Sequence, residues 1–314
     1  MPPNRRRRHE MLDAMTGHHC CSPSAQRGNR ADPETAAFTS TAVRASTARM
    51  VRVEGGRFVM GSDDALSYPD DGEGPVREVT LPVFRIDACA VSNADFAAFV
   101  AGTGYITEAE RFGSSFVFGG LLPDDFPPTQ GVAGAPWWRL VERADWAHPE
   151  GPQSDVRDRQ AHPVVHVSHA DASAFCAWAG KRLPTEPEWE YAARGGLVGQ
   201  PFPWGAELEP GGVHRMNVFQ GRFPDHNAAA DGWHGTCPVD AFPPNAYGLH
   251  NMTGNVWEWC AGDFGPPRPG HRSTRGGSYL CHASYCRRYR VSARQGLPPD
   301  SSTGNIGFRC AADA

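Results

Sequence analysis

Two cysteines toward the C-terminal end are the residues best placed by type and spacing to do chemistry. Cys281 and Cys286 have four residues between them, follow Gly276-Gly277 and precede Arg287-Arg288. On an α-helix only third and fourth neighbours share a face, so an offset of five swings the side chains apart. On a strand an odd offset sends them to opposite faces. Sulfurs that act together at this spacing must sit on a turn, which the glycine pair and Ser284 can provide. Three chemistries fit such a pair. By spacing alone a disulfide ranks first, an exposed and easily reduced one included. A two-sulfur Cu(I) site ranks second, since soft thiolates select that ion. Zinc is weakest, because four ligands are usual and no second Cys-x-x-Cys knuckle appears.

Other candidate residues are ambiguous on their own. Asn217-Val218 with Asp231-Gly232-Trp233, and the turn from Asn251 through Gly254 to Glu258, set side-chain oxygens beside carbonyls as calcium loops do. Neither is an EF-hand, and spacing alone favours a metal-free turn. Glu186, Glu188 and Glu190 resemble a catalytic carboxylate set, yet acidic residues in a first turn are what the helix dipole favours. His282, next to Cys281, reads equally as a ligand or as a neutral hydrogen-bonding group. His18-His19-Cys20-Cys21 has metal-binding residue types but no patterned surroundings to orient them.

These residues need elements to hold them. Gly 35 and Pro 28 in 314 residues predict many loops and short elements rather than long helices. Strand-like runs occupy residues 57–62 and 79–86. A helix is expected over 93–102 with Asn93 as N-cap, and another over 171–179. Thr185-Glu186-Pro187-Glu188 carries a capping-box pattern that starts a third. Residues 104–163 are loop-dominated and aromatic, with Trp137, Trp138 and Trp146 expected to pack. Residues 1–49 form a basic stretch, opening with Arg5-Arg6-Arg7-Arg8 and lacking apolar periodicity, so disorder is expected there. No secretory h-region follows the arginines and no apolar run is long enough to span a membrane. A soluble, cytoplasmic protein is therefore expected, and the net charge of −5 gives no reason to expect nucleic acid as a partner.

The words around the cysteine pair carry more than its spacing. Arg275-Gly276-Gly277-Ser278-Tyr279, Cys281-His282-Ala283-Ser284-Tyr285-Cys286 and Asn305-Ile306-Gly307-Phe308-Arg309-Cys310 closely resemble the catalytic end of the formylglycine-generating enzymes, or sulfatase-modifying factors. Gly180-Lys181-Arg182-Leu183-Pro184-Thr185-Glu186 and Gly254-Asn255-Val256-Trp257-Glu258-Trp259 belong to the same resemblance, which spans 50–314. It implies one catalytic domain over 50–314, of α+β class with the lectin-like fold of that family: short strands, few helices and much irregular backbone. It implies an oxidase that converts the cysteine of a Cys-x-Pro-x-Arg motif in unfolded or nascent sulfatases to Cα-formylglycine. Molecular oxygen is the co-substrate and a thiol the reductant.

What the resemblance implies for individual residues follows. Cys281 and Cys286 hold Cu(I), the client thiolate adds a third sulfur, and Ser278 assists beside them. Asn255, Trp257, His282, Tyr285, Arg290 and Asn305 line the substrate pocket. One Ca2+ is held by Asn217, Val218, Asp231 and Trp233, and a second by Asn251, Gly254, Val256 and Glu258. Cys176 and Cys310 match positions that form a disulfide in eukaryotic members, although a cytosolic setting opposes its formation. Cys89, Cys237 and Cys260 read as small buried residues. A monomer is expected, since no extended apolar seam is visible. The alternative from another class is a non-catalytic lectin-like binding module, which would not need the cysteine pair. An iron-dependent sulfoxide synthase would need a further helical domain with a His-x-x-x-His-x-Glu motif, which is absent from this sequence.

Overall fold

The computed structural model describes residues 49–314 together with Pro23. The basic stretch up to residue 48 and its His18–Cys21 cluster otherwise lie outside the described residues. Four α-helices occur among the described residues: α1 (Asn93–Thr103), α2 (Glu108–Phe112), α3 (His169–Trp178) and α4 (Glu186–Arg194). All four start with the same local solution, a Ser or Thr whose hydroxyl accepts from the N3 backbone while the N3 carboxylate reaches back to the cap. Thr185 and Glu188 do this for α4, as expected. In α1 the cap is Ser92 rather than Asn93, because Asn93 Nδ2 is spent on the Arg159 carbonyl at 2.8 Å. Helix α2 was not anticipated.

The run 79–86 is not one strand. Arg77–Leu81 pairs with Gly56–Met60, whereas Phe84–Asp87 lies between Met50–Val53 and Ala311–Asp313 in a different sheet. Pro82 falls in the break, where its missing N–H prevents the ladder from continuing. The second of these sheets ties the start of the described chain to its C-terminal end.

The sheet that matters for chemistry has four strands in the order Arg294–Leu297, Arg272–Arg275, Trp257–Asp263, Ile306–Gly307, with the last pair parallel. Both cysteines lie in the connection between Arg272–Arg275 and Arg294–Leu297, and Asn305 immediately precedes the edge strand. Residues far apart in the chain thus converge at one end of one sheet.

The main core packs Phe96 against Phe99, Trp146, Phe175 and Phe308, with Trp257 and Trp259 buried in the same cluster. Trp138 and Trp146 pack as expected. With so little helix and strand, many backbone carbonyls need side-chain donors. Arg309 is fully buried and serves three of them, the carbonyls of Asp87, Ala88 and His250, while Glu258 balances its charge. The carboxylates of α4 are likewise structural: Glu186 meets Arg294, Glu188 meets Arg182, and Glu190 meets both Arg194 and Arg275. Catalytic roles for them are excluded by this pairing.

Candidate active site

The connection after Arg275 turns at once. Gly277 has φ 73°, and a Cβ there would come within 2.8 Å of the Arg288 carbonyl. Two tight turns follow: Cys281 N–H donates to the Ser278 carbonyl at 2.9 Å and Cys286 N–H to the His282 carbonyl at 2.7 Å. They bring the two sulfurs to 3.4 Å, with Cys281 1% and Cys286 0% exposed. The turn expected from spacing is therefore present. The disulfide ranked first by spacing is not, since 3.4 Å is well beyond the length of a sulfur–sulfur bond.

Two buried, facing sulfurs suit a soft monovalent ion that needs few ligands. Among the described residues no group of three or more His, Cys, Asp or Glu side chains forms a metal cluster, so a four-ligand zinc site has no residues to build it. The donor set fits Cu(I). A positive group stands alongside: Arg288 Nη1 is 3.8 Å from Cys286 Sγ. Its guanidinium lies 4.0 Å from the Tyr68 ring centroid and pairs with Asp71. Tyr289, also in contact with this cluster, has its hydroxyl pushed up to about 12 by burial and by the neighbouring sulfurs.

Ser278 is the hub of a short relay. Thr303 Oγ1 donates to Asn305 Oδ1 at 2.6 Å, and Asn305 Nδ2 donates to Ser278 Oγ at 2.9 Å. Leu280 N–H also donates to Ser278 Oγ, while Ser278 N–H meets Cys281 Sγ at 3.4 Å. Ser278 Oγ accepts from Asn305 Nδ2 and from Leu280 N–H, which leaves its own proton available to donate. Trp257 is wholly buried in the cluster that contains both thiols, and its Nε1–H has no hydrogen-bond partner. An orphaned buried donor in the same core cluster as two thiols is a place for a polar guest.

Outside the turn stands an aromatic wall. The half-buried Tyr285 stacks on Phe223 at 4.1 Å and meets Trp137 edge-on at 5.0 Å. Trp137 and Phe223 also meet edge-on, at 5.3 Å. Sequence reasoning assigned Trp137 to packing and passed over Phe223, and no local pattern would have joined them to Tyr285. Thr303 was missed for the same reason.

Three expected pocket residues sit differently. Asn255 has φ 56° and clamps Cys237 through both main-chain groups, so it is a bracket holding the loop rather than a pocket residue. Arg290 is 3% exposed and held by both oxygens of Glu73 at 2.7 Å, so its charge is already committed. His282 turns its Nδ1 to Ser284 Oγ at 2.7 Å, a hydrogen-bonding role.

The calcium sets differ from one another. Asp231 accepts from the N–H groups of Val218 and Trp233, so these three expected residues lie together, although the Val218 carbonyl, its expected ligand atom, accepts from Gln220 Nε2 at 3.2 Å. Asn217 Oδ1 is buried without a partner, and burial pushes the Asp231 carboxyl above its ordinary range, both of which a cation would relieve. That set fits. In the second, Asn251 Oδ1 is likewise orphaned, and Gly254 passes so close to Asn217 that a Cβ would lie 2.5 Å from its carbonyl oxygen. Glu258, however, spends its carboxylate on Arg309 and Trp189 Nε1. The negative charge that would draw a cation to Asn251, Gly254 and Val256 is already balanced, so this set fits less well.

Cys176 and Cys310 meet at 3.4 Å as buried free thiols, not as a bonded pair. Burial raises the Cys310 thiol well above its ordinary value. Cys237 and Cys260 are buried as expected, but Cys89 is only half-buried.

Residues 35–314 match the sulfatase-modifying factor enzyme 1-like domain. The chain belongs to the sulfatase-modifying factor family. A relative in the family, the formylglycine-generating enzyme of Thermomonospora curvata, is 55% identical over 282 residues, covering 84% of this chain and 93% of that protein. A bovine protein named inactive C-alpha-formylglycine-generating enzyme 2 is 51% identical over 275 residues, covering 85% and 89%. PvdO from Pseudomonas aeruginosa shares the fold at a TM-score of 0.59 and 27% identity, covering 84% of this chain and 94% of that one. The family's α+β fold of few helices and short strands is the fold observed. Since the name of one relative marks it as inactive, activity in this sulfatase-modifying factor rests on its own residues.

Proposed function

We infer that this protein is a formylglycine-generating oxidase, acting on the cysteine of a Cys-x-Pro-x-Arg motif in a sulfatase polypeptide. The observation that carries the reading is the buried thiol pair Cys281–Cys286 at 3.4 Å, in a family whose named members include formylglycine-generating enzymes. A lectin-like binding module would have no use for two buried sulfurs flanked by Arg288 and Ser278.

Cys281 and Cys286 would hold Cu(I), which when bound supplies oxygen activation at a sulfur-rich centre. The protein's part is to position and to exclude. The two turns hold the sulfurs together, and burial keeps bulk water from them. Arg288 offsets thiolate charge, with Asp71 and Tyr68 fixing its guanidinium. The Ser278 hydroxyl, set by Asn305, and the unpartnered Trp257 Nε1–H would supply hydrogen-bond donors to a polar guest at the site. Trp137, Tyr285 and Phe223 offer an aromatic face to the peptide around the client cysteine. Because both sulfurs are almost inaccessible, the client cysteine must arrive on an extended, unfolded segment. The overall change turns the CH2–SH of that cysteine into an aldehyde and releases its sulfur as hydrogen sulfide, while one O2 is reduced, with two electrons supplied by two thiols that leave as a disulfide and one water formed.

One Ca2+ at Asn217, Val218, Asp231 and Trp233 belongs to this proposal as a structural clip. The reading includes a monomer in the cytoplasm without nucleic-acid or membrane partners. No helix among the described residues is long and apolar enough to cross a membrane. The test is peptide mass after incubation with Cu(I), a thiol and a Cys-x-Pro-x-Arg peptide in air. Conversion to the aldehyde is expected for the wild type and not for Cys281→Ser or Cys286→Ser. Full conversion by either variant would refute the assignment.

A further inference from the structure

The loop at residues 61–76 is fastened to the segment that follows Cys286 by three successive ties. Arg287 N–H donates to Tyr68 Oη at 3.0 Å, Arg288 pairs with Asp71, and Arg290 pairs with Glu73. The same loop lines a groove of about 380 Å3 that also includes Arg194 and Arg290. Both guanidiniums are already engaged: Arg290 pairs with Glu73, and Arg194 pairs with Glu190, which it shares with Arg275.

What remains is apolar and acidic. Val59, Leu66, Val76 and Val198 line the groove and are 41%, 42%, 42% and 77% exposed. Seven large apolar side chains are exposed among the described residues, and four of them gather here. Single exposed hydrophobes need no explanation, but a shared concave cluster marks a binding surface. Asp63 and Asp64 stand on the same groove, both exposed. Asp63 accepts from Val76 N–H and Asp64 from Leu66 N–H, and neither meets an arginine or lysine among the described residues.

We propose that this groove holds a second segment of the client polypeptide, an apolar side chain with a lysine or arginine beside it. Its place on the client follows from reach. Arg290 is four residues from Cys286, at most about 14 Å of extended chain, so the docked segment lies roughly four to eight residues from the oxidised cysteine. The apolar side chain fills the space between the valines and Leu66, and the cation faces Asp63 and Asp64. This deepens the oxidase reading and rests on it for the identity of the docked chain. The chemistry recognised rests on the groove alone.

Fluorescence anisotropy tests it with labelled peptides whose target cysteine is serine, so that no turnover intervenes. A core peptide is compared with peptides carrying Leu-Lys six residues away, on the amino or the carboxyl side, and with Leu-Glu counterparts. A Leu-Lys extension on at least one side is expected to tighten binding about tenfold, and Leu-Glu to give less. The double variant Asp63→Asn/Asp64→Asn keeps the acceptors used by Val76 and Leu66 and should erase the advantage of lysine over glutamate. Val198→Asp, at an exposed position, should erase the gain from leucine. Both should bind the core peptide as the wild type does. Equal affinity for core and extended peptides, or a gain that survives both variants, overturns the proposal. Oxidation of the cysteine-containing core peptide is measured separately. Turnover without an extension effect sinks the groove alone, whereas an extension effect without turnover sinks the oxidase reading and leaves a polypeptide-binding groove.

Discussion

Asn305 holds Ser278: its Nδ2 donates to Ser278 Oγ over 2.9 Å, while Thr303 Oγ1 fixes its other end at 2.6 Å. Asn305 therefore acts through the serine, as a positioning residue. Asn305→Leu, of similar size, should lower kcat for aldehyde formation about 10- to 100-fold, the worth of roughly 1.5–3 kcal/mol of lost orientation. Cu(I) affinity, read by competition with a chromogenic chelator, should be unchanged. Equal loss of both would show that the residue merely holds the fold.

Glu258 and Arg309 form a fully buried ion pair whose members also satisfy Trp189 and three backbone carbonyls. Glu258→Gln strands the guanidinium and should cost about 3–5 kcal/mol, measured as a shift in the denaturant midpoint at constant slope. A loss below about 1 kcal/mol would mean that the core relaxes around the charge.

The pH dependence follows from buried groups far from the sulfurs. Burial lowers His166 and His169 to about 4, whereas burial raises Asp171 to about 6. For the histidines the folded value lies below the unfolded one near 6.5. Their contribution is thus complete above pH 6.5 and is lost as pH falls toward 4, by about 3 kcal/mol each. Asp171 runs oppositely: its penalty is present above pH 6 and disappears as pH falls toward its unfolded value. Two histidines outweigh one aspartate, so stability should decline by about 3–4 kcal/mol in net between pH 6.5 and 4. His166 has φ 59°, which asparagine tolerates. His166→Asn should therefore flatten this decline in pH-dependent urea titrations, and an unchanged slope would dismiss the residue as its source.

Removal of calcium should lower the melting temperature of the wild type. The variant Asp231→Asn should begin lower and show no response to chelator or added Ca2+. Since Asn217 Oδ1 is orphaned and Asp231 is destabilised by burial, both effects should come from the same loop. A chelator effect that persists in Asp231→Asn would move the ion to another site.

Local signals were legible where they are short-range. The Thr185-Glu188 capping box and the glycine turn before Cys281 are read from neighbours in sequence and are found in the structure. Reading failed where a side chain had a distant alternative. Asn93 yielded its cap to Ser92 because Arg159 claimed it, and Arg290 is held by Glu73, 217 positions away. The same distance hid Phe223, Trp137 and Thr303, which no spacing connects to Tyr285 or Ser278.

By itself the sequence determined that the two cysteines must share a turn, because neither a helix nor a strand can present that spacing on one face. It also determined, through the motifs around them, the family. Only the tertiary structure decided that the sulfurs stand 3.4 Å apart as buried thiols, with Arg288 and Ser278 beside them. The reason is physical: a turn is closed by hydrogen bonds between near neighbours, whereas burial, charge balance and donor supply come from strands and loops that only folding brings together.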